Sequence, residues 1–374
     1  MKKLLFLTGT RADFGKLKPL ILGTQARSDF RVAVFVTGMH LMKAYGSTHI
    51  EVDRAGVQNI FKYINQNEKS SMDEILASTI SGVSNYLKEN AVDAIVIHGD
   101  RVEALAGAIV GALNNIKVIH IEGGERSGTI DESIRHAITK FSHLHFVSST
   151  TAQRRLIQLG EKPESVFNIG SPNIDIILSG DLPTIEDVFK RYDIIFKEYA
   201  ILIFHPVTTE LDILREQIVN IVDACNESGL NFVVIKPNND HGASVIIDGF
   251  ARFADTEKYR ILPSMRFEYY LTLVKHALCL VGNSSSGIYE APVFGVPTIN
   301  IGSRQQDRMA YESIQNCAAS KTEILSCLSS YKNRMRYPQC FHNGDGNSLQ
   351  NFLKIMESLD LNKVDIQKRF IDLE

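Results

Sequence analysis

What this sequence lacks narrows it before any motif is read. Its 374 residues hold five cysteines (Cys225, Cys279, Cys317, Cys327 and Cys340), an odd number without CxxC spacing. That argues against a disulfide framework and against a zinc site. Cys279, inside Ala277-Leu278-Cys279-Leu280-Val281, reads as a small core residue. No stretch is apolar for long enough to cross a bilayer. The run Leu4-Leu5-Phe6-Leu7 after Lys2-Lys3 stops at Thr8-Gly9-Thr10-Arg11, short of a leader peptide, and is expected to be a first buried strand. There is no basic excess either. With a formal net charge of −3, neither nucleic acid nor membrane is an expected partner, and an anionic ligand must be held by local charge and backbone dipoles. Low-complexity segments and short repeats are missing, and the expected compartment is the cytoplasm.

What remains is an ordinary globular composition, 44% apolar and 22% charged, on a chain long enough for two domains of about 150–190 residues each. Short apolar runs alternate with stretches of helical period. Expected strands are Leu4–Thr8, Val32–Val36, Ala94–His98, Val118–Glu122, His143–Val147 and Phe167–Gly170, with helices over Met72–Asn90, Val102–Asn114 and Asp131–Lys140. Strands apolar on both faces suit a parallel sheet covered by helices on each side. The pattern then restarts with strands Ile201–Phe204, Phe232–Lys236, Arg260–Leu262, Cys279–Val281 and Thr298–Ile301, and helices Leu211–Ser228 and Phe267–His276. Strand signals are absent over Asp175–Glu198, where Ser179-Gly180-Asp181-Leu182-Pro183 resembles a linker turn. The tail is expected to be helical over Gln350–Leu359 and Val364–Leu373. The resulting expectation is an α/β protein of two Rossmann-like domains facing across a cleft, at 1–178 and 179–357, with a C-terminal helix at 358–374.

Ligands bind at the carboxyl edge of open parallel sheets, and the chemically able residues follow the strands. Thr8-Gly9-Thr10-Arg11-Ala12-Asp13-Phe14-Gly15-Lys16 is a small-residue strand-to-helix turn with two cations. It suits a phosphate but is neither GxGxxG nor a P-loop, and an ordinary turn with solvated cations fits it too. His98-Gly99-Asp100-Arg101 puts a carboxylate beside an arginine, for a sugar and a phosphate or for a structural ion pair or cap. His120-Ile121-Glu122-Gly123-Gly124 presents Glu122 at a strand end, and Asp131 either caps the next helix or joins Asp100 and Glu122. Carboxylates gathered at one site are costly without a cationic or proton-transferring task. In the second half, His205-Pro206-Val207-Thr208-Thr209 leaves a histidine at a strand end. Val281-Gly282-Asn283-Ser284-Ser285-Ser286-Gly287-Ile288-Tyr289-Glu290 opens a strand into hydroxyl-bearing residues suited to a diphosphate. Glu290, one turn inside the helix expected there, is positioned for the two hydroxyls of a ribose.

These segments carry a resemblance. GTRADFGKLKPL, VTGMH, IHGDRVEALAGA, HIEGGERSGTIDESIRHAITK, IGSPNID, FHPVTTE, PNND, RFEYY, VGNSSSGIYEAPVFGVPTINIGSRQ and QKRFIDL, in order from residue 8 to residue 373, resemble the hydrolysing UDP-N-acetylglucosamine 2-epimerases of bacterial sialic-acid synthesis. The resemblance implies a GT-B-like fold whose C-terminal helix packs back on the first domain. It implies conversion of UDP-N-acetylglucosamine and water to N-acetylmannosamine and UDP, without metal or cofactor, by a homo-oligomer (a dimer or dimer of dimers). Carried over, Arg11, Arg101, His205, Ser284, Ser285, Glu290 and Arg304 hold UDP. Asp100, Glu122 and Asp131 face the sugar, with Lys16, His120 and Asn238 near it. Gly15 stands where such relatives often have serine, which removes one phosphate contact.

The implied chemistry is elimination of UDP to a 2-acetamidoglucal followed by hydration, with Asp100 and Glu122 as the acid/base pair and Asp131 orienting or relaying protons. Three alternatives stay open at this point. The same motifs serve relatives acting on a nucleotide-linked 2,4-diacetamido-trideoxyglucose of legionaminic acid synthesis. A GT-B glycosyltransferase and a non-catalytic nucleotide-sugar binder are the others.

Overall fold

A computed structural model of the protein describes residues 1–372 apart from residues 128, 239, 254, 256, 307, 309 and 332–335. Leu373, at the end of the expected tail helix, and Gly128 and Asn239 of the motifs above lie outside the described residues. The described chain separates into two compact units. The first comprises residues 1–125, 131–180 and 342 onward; the second comprises 126–130 and 181–341.

The first unit is built on strands β1 (Lys2–Thr8), β2 (Phe30–Val36), β3 (Ile60–Lys62), β4 (Ala94–His98), β5 (Lys117–Ile121), β6 (Leu144–Val147) and β7 (Val166–Asn168). They form one parallel sheet in the order β3-β2-β1-β4-β5-β6-β7. Helices α1 (Arg11–Gln25), α2 (His49–Arg54), α3 (Met72–Glu89), α4 (Val102–Leu113), α5 (Ile130–Phe141), α6 (Thr150–Gln158) and α7 (Pro172–Leu178) alternate with the strands. Side chains alternate along a strand, so a sheet covered on both faces needs apolar residues at every position. In β1, Leu4 and Phe6 enter a core with Leu17 and Leu20 of α1, whereas Leu5 and Leu7 enter a second core with Ala104 and Ala108 of α4.

The second unit repeats the plan. Strands β8 (Ala200–Ile203), β9 (Phe232–Ile235), β10 (Tyr259–Leu262), β11 (Leu280–Gly282), β12 (Thr298–Ile301) and β13 (Ile314–Cys317) form a parallel sheet in the order β10-β9-β8-β11-β12-β13. Its helices are α8 (Ile185–Tyr192), α9 (Leu214–Ser228), α10 (Ala243–Phe250), α11 (Phe267–His276), α12 (Ser286–Tyr289) and α13 (Lys321–Ser330). Ala200 and Leu202 face one core while Ile201 and Ile203 face the other. In both sheets the strand order reverses beside the first strand, which opens a ligand-binding crevice at the carboxyl edge. Among the described residues no helix is long and apolar enough to cross a membrane.

The chain then returns to the first unit as α14 (Ser348–Ser358), which packs on α1 and α7. Asp175 of α7 anchors its start, accepting from the Ser348 and Leu349 amides at 2.9 and 2.8 Å. The expectation of a helix over 358–374 is corrected here: beyond the short 3-10 turn Leu361–Lys363, no helix forms in the described residues up to 372. So short a segment is a marginal helix by itself, and this one finds partners on the unit's surface instead. His143 Nε2 donates to the Ile366 carbonyl at 3.1 Å, and Lys368 Nζ donates to the carbonyls of Thr139 and Ser142 at 2.9 and 2.6 Å and to Glu161 at 2.5 Å.

Two strands escaped the sequence reading, β3 and β13, both at sheet edges and largely polar or exposed. The helix expected from Leu211 starts at Leu214 because a turn closes first, the Glu210 amide donating to the Val207 carbonyl at 2.9 Å.

Candidate active site

In the first unit the carboxyl ends of β1, β4 and β5 bring charged groups together. Thr10 caps α1 by accepting from the Asp13 amide at 3.2 Å, and Asp13 Oδ2 accepts from the Gly9 amide at 3.1 Å. This reciprocal arrangement points Asp13 Oδ1 at His98, the last residue of β4, whose Nδ1 lies 3.0 Å away. His98 Nε2 meets Glu122 Oε2 at 2.9 Å. Lys16, one turn further along α1, reaches the same oxygen at 3.3 Å, and the Ser171 hydroxyl at the start of α7 donates to Oε1.

Glu122 follows β5 rather than ending it, with φ +61°, a conformation uncommon outside glycine. Held this way it receives three donors from three elements. Burial pushes its carboxyl up, but the charges of Lys16 and His98 and the hydrogen bonds from His98 and Ser171 outweigh burial and hold it well below the usual carboxylate range. Burial likewise disfavours a charged His98, yet Glu122 and Asp13 raise the ring to about 9.

Asp100, between β4 and α4, pairs with Arg135 of α5, which is almost wholly buried and also donates to the Glu125 carbonyl at 2.9 Å. Arg101 stands at the N-cap of α4, 3.6 Å from Glu103. Asp131 lies half-buried in the first turn of α5. Arg11 opens α1 and pairs with Glu51 of α2 at 2.9 Å. His120 has no exposed surface, so it is not placed to touch a sugar as the sequence suggested. Its Nε2 donates to the Gly99 carbonyl at 2.8 Å, and burial lowers the ring to about 3. It is a neutral brace beneath the turn that carries Asp100.

In the second unit Asn283 is the organising residue. Its side chain accepts from the His205 amide at 2.7 Å and donates to the His205 carbonyl at 2.8 Å. Its own carbonyl accepts from Arg304 Nη1 at 3.2 Å and Gln305 Nε2 at 2.7 Å. His205 Nδ1 accepts from the Asn238 amide at 3.4 Å, which leaves the proton of a neutral ring on Nε2. Asn283 can take this position because Gly282, at φ +125°, lets β11 approach β8; a Cβ there would stand 1.9 Å from the Ile203 carbonyl oxygen. Ser284 and Ser285 follow, half-buried. The expected helix is shorter than the sequence suggested: α12 has four residues, and Glu290 sits at its end, buried, rather than inside it. Ser286 accepts from the Tyr270 hydroxyl at 2.5 Å.

Contacts thus join Lys16 to Glu122 and Asp100 to Arg135 on the first unit, and Asn238 and, through Asn283, Arg304 to His205 on the second. Sequence reasoning missed Asp13, His98, Ser171, Arg135 and Asn283. All five stand inside the motifs quoted above, but nothing local in those strings marks Ser171 and His98 as partners of Glu122, or Arg135 as the partner of Asp100.

Comparisons with known proteins give the family and the fold. A sequence model described as UDP-N-acetylglucosamine 2-epimerase matches residues 23–357. The chain is 43% identical over 376 residues to the UDP-N-acetylglucosamine 2-epimerase of Neisseria meningitidis serogroup B, covering 100% of each. It is 37% identical to polysialic acid biosynthesis protein P7 of Escherichia coli, covering 87% of this chain and 85% of that one. It is also 32% identical to the UDP-N,N'-diacetylbacillosamine 2-epimerase (hydrolyzing) of Legionella pneumophila, covering 98% and 99%. Among solved structures, the Methanocaldococcus jannaschii UDP-GlcNAc 2-epimerase in complex with UDP-GlcNAc and UDP aligns with a TM-score of 0.80 at 20% identity, covering 96% of this chain and 99% of that one. That likeness establishes the GT-B-like fold. The chain belongs to the UDP-N-acetylglucosamine 2-epimerase family.

Proposed function

We propose that this protein hydrolyses and epimerises UDP-N-acetylglucosamine, giving N-acetylmannosamine and UDP for sialic acid synthesis. The observation that carries the proposal is Glu122, a buried carboxylate at the sheet's carboxyl edge held as an anion by Lys16, His98 and Ser171. A sugar losing its C1 substituent becomes oxocarbenium-like, and a fixed anion stabilises that charge as it develops. Support for the substrate comes from the 43% identical Neisseria relative, and for the pathway from the P7 relative.

In the first step the C1–O bond breaks, its electron pair going to the phosphate oxygen, while C2 loses its proton and a C1=C2 bond forms. Arg11, Arg101, His205, Arg304 and the hydroxyls of Ser284 and Ser285 meet the charge gathering on UDP, and Glu290 takes the ribose. Arg11 exchanges Glu51 for the ligand. In the second step water adds its oxygen to C1, and a proton reaches C2 on the opposite face. The three donors on Glu122 favour a permanently ionised group over the acid/base role the sequence suggested. Proton transfer at C2 then falls to Asp100 and Asp131, while His120 and Asn238 act by holding Gly99 and His205.

The Legionella diacetylbacillosamine relative favours a second reading in which the substrate is a diacetamido sugar and the chemistry is unchanged. Chromatography of reactions with each UDP-sugar tests both. UDP and free N-acetylmannosamine from UDP-N-acetylglucosamine are expected, with Asp131→Asn blocking them; turnover of the diacetamido substrate alone would move the assignment, and turnover by the variant would remove Asp131 from the set.

A further inference from the structure

His98 has no part in the bond changes written above, yet it occupies the centre of the first unit's charged cluster. We infer that Asp13 and His98 are positioning residues for this reaction: with Glu122 they form a carboxylate–imidazolium–carboxylate chain that fixes Glu122 as an anion aimed at the sugar. The inference rests on the proposed function and deepens it.

Proton counting supports the chain directly. Each ring nitrogen of His98 stands against a carboxylate oxygen, Asp13 Oδ1 at 3.0 Å and Glu122 Oε2 at 2.9 Å. A neutral imidazole has one N–H. The bond to Glu122 takes that proton on Nε2, so a neutral ring would set the Nδ1 lone pair 3.0 Å from Asp13 Oδ1, a buried oxygen that accepts no hydrogen bond, and this close electrostatic contact favours a second ring proton. The cation is then matched on both sides, and the chain Asp13–His98–Glu122 is a charge-assisted pair of contacts with a net charge of −1.

The arrangement is anchored at both ends. Asp13 is fixed by the Gly9 amide, and its own amide is fixed by Thr10. Glu122 is fixed by Lys16 and Ser171. A buried ion pair is weak support for stability, because apolar residues of the same volume usually do as well. Here it coincides with a non-glycine residue at positive φ, a strained conformation that clusters at functional sites. The charged and titratable groups around the ring are Asp13 and Lys16 from α1, Glu122 beyond β5 and neutral His120 from β5. Among these only the two carboxylates favour the imidazolium, so removing either one lowers its proton affinity.

The test is the pH profile of kcat for wild type, Asp13→Asn and His98→Gln, with a ¹⁵N NMR titration of the His98 ring. Asparagine keeps the acceptor for the Gly9 amide, so the helix start survives while the charge is lost. In the wild type, activity is expected to fall as pH rises through about 9, with both ring nitrogens protonated below that. In Asp13→Asn the alkaline limb and the ring titration move down together by about one to three pH units, the loss of one nearby opposite charge. In His98→Gln that limb disappears, and kcat falls more than KM rises. An unmoved limb in an active Asp13→Asn enzyme, or a ring carrying one proton at pH 7, overturns the inference and leaves the proposed function standing. A wild type that turns over neither UDP-sugar overturns both.

Discussion

Replacing Gly282 by alanine tests how the second unit's site is built. The new Cβ would stand 1.9 Å from the Ile203 carbonyl oxygen and 2.7 Å from its carbon, on a backbone at φ +125°. Relief requires β11 to move by more than an ångström from β8. Such a shift disturbs the Asn283 amide bond to Ile203 (3.1 Å) and the paired bonds between Asn283 and His205 (2.7 and 2.8 Å). Backbone strain costs about 1–3 kcal/mol, and each disturbed hydrogen bond adds about 1 kcal/mol. A total of about 4–6 kcal/mol is a large share of a domain's stability. For a unit of this size the calorimetric midpoint should fall by about 8–24 °C, with UDP affinity falling alongside. Gly302→Ala is the control: its φ is also positive, +77°, but nothing lies within 4 Å of the added carbon, so about 1 kcal/mol is expected. Equal midpoints for the two variants would refute the close-approach argument.

Further outcomes follow from the buried charges. His98 is raised from 6.5 to about 9 on folding, so its stabilisation is fully present below pH 6.5 and is lost as pH rises through about 9. The loss is on the order of 3 kcal/mol, visible in urea midpoints between those limits and absent in His98→Gln. Glu161 is lowered from 4.5 to about 2, where the bonds from His145, Lys140 and Lys368 outweigh burial; its contribution is present above pH 4.5 and lost on acidification toward about 2. Lys368→Ala removes three contacts that pin the tail. A loss of about 2 kcal/mol is expected, and hydrogen exchange should quicken first at residues 364–372; protection unchanged there would contradict the pinning.

Much of the fold was legible because buried parallel strands are written as unbroken apolar runs. Ala94–His98 and Thr298–Ile301 emerged with the bounds the structure has, and so did the helix Phe267–His276. The edge strands β3 and β13 carry no such run, since one side of each meets water or loop rather than core. The tail misled for a physical reason: Val364–Ile371 has helical spacing, but its hydrogen bonds go to His143 and, through Lys368, to Thr139, Ser142 and Glu161. Site residues at strand ends could be read one string at a time. Their pairing could not, because Asp13, His98, Glu122 and Ser171 come from four elements spread over 158 positions between Asp13 and Ser171. His120 shows the converse, a residue conspicuous in its string and placed wholly inside the core.

The central claim is that C2 of UDP-N-acetylglucosamine is deprotonated and its UDP lost before water adds. Proton NMR of the reaction in deuterated water tests it in one tube. Free N-acetylmannosamine carrying deuterium at C2, with UDP released in equal amount, is the predicted result. N-acetylmannosamine retaining its C2 proton, or a UDP-linked epimer with no free sugar, would contradict it.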